Sequence, residues 1–213
     1  MAFAQSLIAA TLACVAAAVQ AAPDLDALVR YETRAVLANG TTRVETWSER
    51  LVRRGDRVWT ERVLPAAAHE AEAEHAGHKH FDAERAARLV ILDKGEPQLQ
   101  YVDREHRQVV HVPKAEWGAV GFDGRYDAAA HLVPPSLIER MAVQGEWRVQ
   151  KAQGWTHRVL WSAERQVALR IESRRDDGSY VRRVNLQPMA AANALPWTGL
   201  AAYQQHDYDD FMD

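Results

Sequence analysis

Apolar positions in this chain recur mostly at every second residue, and that period assigns most of it to β-strands. From Leu28 to Leu37, Val29, Tyr31, Thr33, Ala35 and Leu37 share one face, while Arg30, Glu32 and Arg34 share the other. One apolar and one polar face is the pattern of a half-buried antiparallel strand. Asn39-Gly40 predicts a hairpin. The return strand, Thr42 to Val52, puts Trp47 and Leu51 on one face; Arg54-Gly55-Asp56 turns the chain, and Arg57 to Leu64 is a third strand. A looser copy of this meander follows: a helical turn over Asp82 to Arg88, then short strands at Leu89–Leu92, Gln98–Val102 and Gln108–Val112.

Pro113 to His131 has no clear period, and Phe122-Asp123-Gly124 within it reads as a turn. Pro134-Pro135-Ser136 starts a helix with Leu137, Ile138 and Met141 on its apolar side, and Ser136 with Glu139 has the spacing of a capping box. Four more strands follow, at Glu146–Lys151, Trp155–Trp161, Val167–Ile171 and Tyr180–Leu186. The tail from Pro196 to Asp213 is expected to hold a short helix. About ten antiparallel strands with one or two short helices make a mainly β chain, built as a sandwich or barrel.

The first 21 residues read as a secretory signal, with an Ala-rich apolar run from Leu7 to Val19 and Val19-Gln20-Ala21 at the cleavage site. The only cysteine, Cys14, lies within it, so residues 22–213 form a single domain without disulfides. A periplasmic or secreted location is the expectation. The formal net charge of −3 is no nucleic-acid footprint.

The most unusual chemistry lies in an insertion at residues 65–82. Four of the nine histidines fall within residues 69–80, interleaved with Glu70, Glu72 and Glu74. Imidazole and carboxylate suit Cu²⁺ or Zn²⁺. On a helix, His69, Glu72 and His75 would share a face at three-residue steps, and Gly77 would let His78 and His80 fold back. His69, Glu72, His75, His78 and His80 are therefore the expected metal ligands. The segment is no metalloprotease motif: His69-Glu70 begins like H-E-x-x-H, but position 73 is Ala73. Gly118, Gly121 and Gly124 match neither the dinucleotide nor the P-loop spacing, and no G-x-S-x-G elbow occurs. His106, His111, His131 and His157 read as surface or packed histidines, and the acidic end around His206 as a solvated terminus. No enzymatic site is expected.

The meander Leu28–Leu64, the helix start at Pro134-Pro135-Ser136 and the strands Trp147–Leu186 together resemble the periplasmic lipoprotein-carrier fold of LolA, LolB and the N-terminal domain of RseB-type regulators. The resemblance implies a strongly curved antiparallel sheet, an incomplete barrel closed by helices over an apolar cavity. It carries over no individual binding residue, and a histidine-rich insertion is foreign to it. Two readings follow. One is a binding protein that captures or traffics a transition metal through residues 69–80. The alternative is a carrier or sensor of an apolar ligand, or of a periplasmic or outer-membrane partner protein. The seven tryptophans, most of them on expected strand faces, read first as ordinary core; for the alternative, they are candidate cavity lining.

Overall fold

The computed structural model describes residues 22–64, 82, 83 and 85–211. Residues 1–21, read above as a secretory signal, and the histidine-rich stretch, with His69, Glu72, His75, His78 and His80, lie outside these described residues. The first strand, β1 (Leu25–Val36), pairs along its whole length with β2 (Thr42–Arg54), and Tyr31 stands opposite Trp47. The meander continues through β3 (Arg57–Arg62), β4 (Ala87–Asp93), β5 (Glu96–Asp103) and β6 (Gln108–Val112). Two short helices follow, α1 (Tyr126–His131) and α2 (Pro135–Arg140). The second meander is β7 (Ala142–Gln144), β8 (Trp147–Ala152), β9 (Trp155–Ser162), β10 (Val167–Arg175) and β11 (Tyr180–Pro188). A last strand, β12 (Gln204–Asp207), runs parallel to β6.

All twelve strands form one sheet, ordered β12-β6-β5-β4-β3-β2-β1-β11-β10-β9-β8-β7. It is strongly curved and not closed. β1 lies in the middle and joins the two meanders, because its other edge pairs with β11. The curvature is visible in what shares a cavity. Arg88 of β4 and Gln150 of β8 line the same space, yet seven strand steps separate them, roughly 34 Å on a flat sheet. A bulge between Ala168 and Arg170 bends β10 and adds to this curl.

The two faces are covered differently. On the concave face Ala27, Val29, Leu51, Val184 and Leu186 pack together, and Val90, Leu99, Tyr101, Val110 and Val112 pack under Phe122. The chain from β6 to β7 must pass from near one end of the sheet to the other, and it crosses this face. On the convex face Trp59, fully buried, packs with Val52, Leu89, Val102 and Val109 beneath Trp197, Leu200 and Tyr203. The tail therefore covers half of the convex side. Among the described residues, no helix is long and apolar enough to cross a membrane.

Several expectations are corrected in detail. Twelve strands replace about ten, because three-residue β7 and the tail strand β12 lack any apolar alternation. Within the segment read as a helical turn, the Asp82 carbonyl accepts from the Arg85 and Ala86 N–H groups at 3.2 and 2.9 Å, and β4 already begins at Ala87. The Asn39-Gly40 turn closes a five-residue loop, since Val36 pairs with Thr42; the Asn39 Oδ1 accepts bonds from the Thr41 N–H and hydroxyl. The Ser136–Glu139 capping box does not form. Pro135 is the first helical residue, so Ser136 lies inside the first turn, and no side chain caps the helix. The segment read as irregular contains α1. Its approach turns at Gly124, with φ 75°, where a Cβ would meet the Trp117 indole at 3.1 Å.

Candidate functional site: an apolar cavity under two short helices

Both helices have six residues, too few to be stable alone. Tertiary contacts hold them. The Tyr126 hydroxyl donates to the Gly55 carbonyl at 2.9 Å, and burial pushes its phenol up to about 12. α1 ends where Leu132 takes a left-handed conformation, φ 64°. Its C-terminal end is fixed by a group that sequence reading missed, the fully buried Arg53. The Arg53 guanidinium donates to the carbonyls of Pro23 at 2.8 Å, Ala130 at 2.6 Å, Arg165 at 2.6 Å and Gln166 at 3.1 Å. One side chain thus ties the N-terminal segment, α1 and the β9–β10 turn together. Arg53 alternates with the buried Val52, the only signal of its position in the sequence.

His131 sits beside it. Its Nδ1 is bonded to the Gln166 carbonyl and lies 3.4 Å from an Arg53 nitrogen. A carbonyl only accepts and a guanidinium only donates, so Nδ1 must carry the proton to bond Gln166. Burial lowers the imidazole pKa, and the Arg53 charge adds to the shift. His131 is therefore a neutral packed histidine, as expected from the sequence.

Between the helices and the sheet lies a cavity of about 410 Å³, within the roughly 300–1,000 Å³ range of small-molecule sites. Its roof is Ala128, Ala129, Leu132, Val133, Leu137 and Met141. Its floor is Tyr31, Val159, Ile171 and Val184. The polar groups are few: Thr60, Arg88, Gln150, His157, Ser173 and Arg182. Among the described residues, no aspartate or glutamate lines it. A wider cleft of about 650 Å³ adjoins it, shares Thr60 and Arg88, and carries Arg43, Glu45, Trp47, Glu49 and Arg62.

Tyr31 stands where the two spaces meet. Its ring stacks on Trp47 at 4.8 Å and 9°. On the β11 side the Arg182 guanidinium lies 5.8 Å from the ring centre. Burial, and then a hydrogen bond to Glu49, push the phenol well above its usual value. The lining is aliphatic. No tryptophan lines the cavity itself and only Trp47 lines the cleft, which corrects the aromatic-lined expectation. Trp59 and Trp197 belong to the convex core, and Trp117 packs edge-on to Phe122.

The remaining described histidines have local partners. His106 pairs with Asp103 at 2.7 Å and His206 with Asp210 at 3.6 Å. His111 contacts Gln205 at 3.0 Å, and His157 contacts Ser173 across β9 and β10 at 2.9 Å. No carboxylate bonds to His157 among the described residues, so the pair lacks an orienting acid. No group of three or more histidine, cysteine or carboxylate residues is placed to hold a metal among the described residues.

No family model matches the chain, and no curated protein matches it either. Solved structures do match in shape. A structure of PNGF-II gives a TM-score of 0.39 at 11% identity; the match covers 88% of this chain and 33% of that one, so this chain spans about a third of its length. A domain from Vibrio parahaemolyticus, assigned as an outer membrane lipoprotein-sorting protein, gives 0.34 at 10% identity over 79% of this chain and 87% of that one. A LolA superfamily protein from Nitrosomonas europaea gives 0.29 at 12% identity over 81% of this chain and 89% of that one.

Proposed function

We propose that this protein is a periplasmic carrier or sensor of an apolar ligand, which binds between the curved sheet and its two helices. The observation that supports this reading is the cavity itself: about 410 Å³, roofed and floored mostly by aliphatic side chains, with no carboxylate among the described residues that line it. An apolar space of this size gains from filling, because its lining otherwise lacks contact partners. The direct test is titration with a neutral fluorescent probe, N-phenyl-1-naphthylamine, beside an Ala128→Phe variant. Ala128 lines the roof, and phenylalanine there would occupy the ligand's space. Saturable binding by the native chain and a loss of at least tenfold in the variant are expected. Equal binding by both would place the probe elsewhere and refute the assignment.

A second reading rests on residue types alone. His69, His75, His78 and His80 with Glu72 form a ligand set for Cu²⁺ or Zn²⁺, and we propose metal capture as a property of residues 65–82. Calorimetric titration of the chain from Ala22, without an affinity tag, tests it. Sub-micromolar binding that disappears when all four histidines become alanine is the expected result. Unchanged stoichiometry in that variant would end the reading.

A further inference from the structure

Among the described residues, Arg88 and Arg182 are the only charged side chains lining the cavity. They project from β4 and β11, at opposite sides of Tyr31 in the strand order. Arg88 pairs with Thr60 and Tyr101 across the concave face, and Arg182 with Thr33 and Ser173. None of these neighbours is a carboxylate. Neither guanidinium has an ion-pair partner among the described residues: Arg182 is exposed and lies against the Tyr31 ring, and Arg88 is half-buried. Of the cleft's carboxylates, Glu49 interacts with Tyr31, whose phenol pKa it helps to raise. The cleft's other carboxylate, Glu45, is bridged to Arg43 at 2.5 Å.

A guanidinium at an apolar surface with no carboxylate partner keeps its fork of donors available to a carboxylate or phosphate. The cavity thus joins an aliphatic pocket to two positive groups, one on β4 and one on β11. Arg88 lines both spaces, so on its side the cavity adjoins the wide cleft. A purely apolar ligand would leave both arginines without a counter-charge; a cationic one would be repelled.

From this placement we infer that the ligand is an anionic amphiphile: an acyl chain in the cavity, and a carboxylate or phosphate head held by Arg88 and Arg182. This deepens the carrier reading and rests on it. The test compares dodecanoate, dodecyl phosphate, dodecanol and dodecylamine by competition with the neutral probe. Both anions are expected to bind at least tenfold more tightly than the alcohol, with the amine weakest, and the difference should shrink with added salt. Preference for one anion names the head. Arg88→Gln and Arg182→Gln should each weaken anion binding by about tenfold and leave dodecanol within about twofold. The ligand series on the native protein stands even if a variant fails to fold. If alcohol, amine and anions compete equally, the head-group inference falls and the carrier reading survives. If none displaces the probe, the carrier reading falls with it.

Discussion

Replacing Arg53 by methionine tests whether this one side chain holds the cavity roof in place. Methionine keeps most of the apolar stem and removes the guanidinium, so lost packing is separated from lost hydrogen bonds. Four carbonyls lose a charged donor. The bond to Ala130 is buried, and those to Pro23, Arg165 and Gln166 are part-buried. A buried carbonyl left without a partner costs about 1–3 kcal/mol, and a part-buried one that water can reach about 0.5–1.5 kcal/mol. Relief from desolvating the charge, which already lowers the Arg53 pKa, offsets part of that sum. The expected loss is about 3 to 5 kcal/mol, read as a lower urea midpoint at unchanged slope. In a domain of this size it lowers Tm by about 6–20 °C. Arg53→Lys should recover less than half, since one ammonium cannot reach four carbonyls fanned around a planar fork. Probe binding should weaken in both variants, because α1 hangs on the Ala130 bond. A loss under about 1 kcal/mol in Arg53→Met, or a lysine variant as stable as the native chain, would refute the clamp.

Two further outcomes follow from the buried groups. The imidazole of His131 is held below its usual range by burial, while in the unfolded chain it titrates near 6.5. Below about pH 6.5 the unfolded state binds the extra proton first, so stability is full above that pH. It is lost as pH falls toward the lowered native value; urea midpoints between pH 5 and 7.5 should show this slope, and His131→Gln should flatten it. An unchanged slope in that variant would show that other groups set the acid sensitivity. Trp59→Ala should cost about 3–5 kcal/mol, because the indole is fully buried between the sheet and the tail. Chemical denaturation measures it, and a loss below about 1 kcal/mol would mean that the tail does not seal the convex core.

The face assignments of the long strands were legible from residue types. Tyr31, Trp47 and Leu51 share the concave face as alternation predicts, and so do Val159, Val184 and Leu186. Trp59 was legible as a strand residue but not as a core of its own. Alternation says that a residue faces one side, and the partner covering that side, Trp197 with Leu200 and Tyr203, lies over a hundred residues away in the tail. α1 was invisible because Tyr126-Asp-Ala-Ala-Ala-His131 is too short to show a helical period.

The cavity divides in the same way. Val159, Ile171 and Val184 of the floor could be recognised as lying on apolar strand faces, and Leu137 and Met141 of the roof as the apolar side of the expected helix; the roof residues of α1 could not. Nothing local distinguishes Arg88 or Arg182 from the arginines of the convex face, such as Arg30 and Arg34. Period two and turn chemistry are local properties, so the sequence alone determined the strands, their hairpins and which face of each is apolar. Strand order, curvature and the crossing of the sheet by α1 and α2 depend on contacts between distant segments. Only the tertiary structure decided that β4 and β11 place their arginines at one apolar pocket, and that Arg53 anchors its roof.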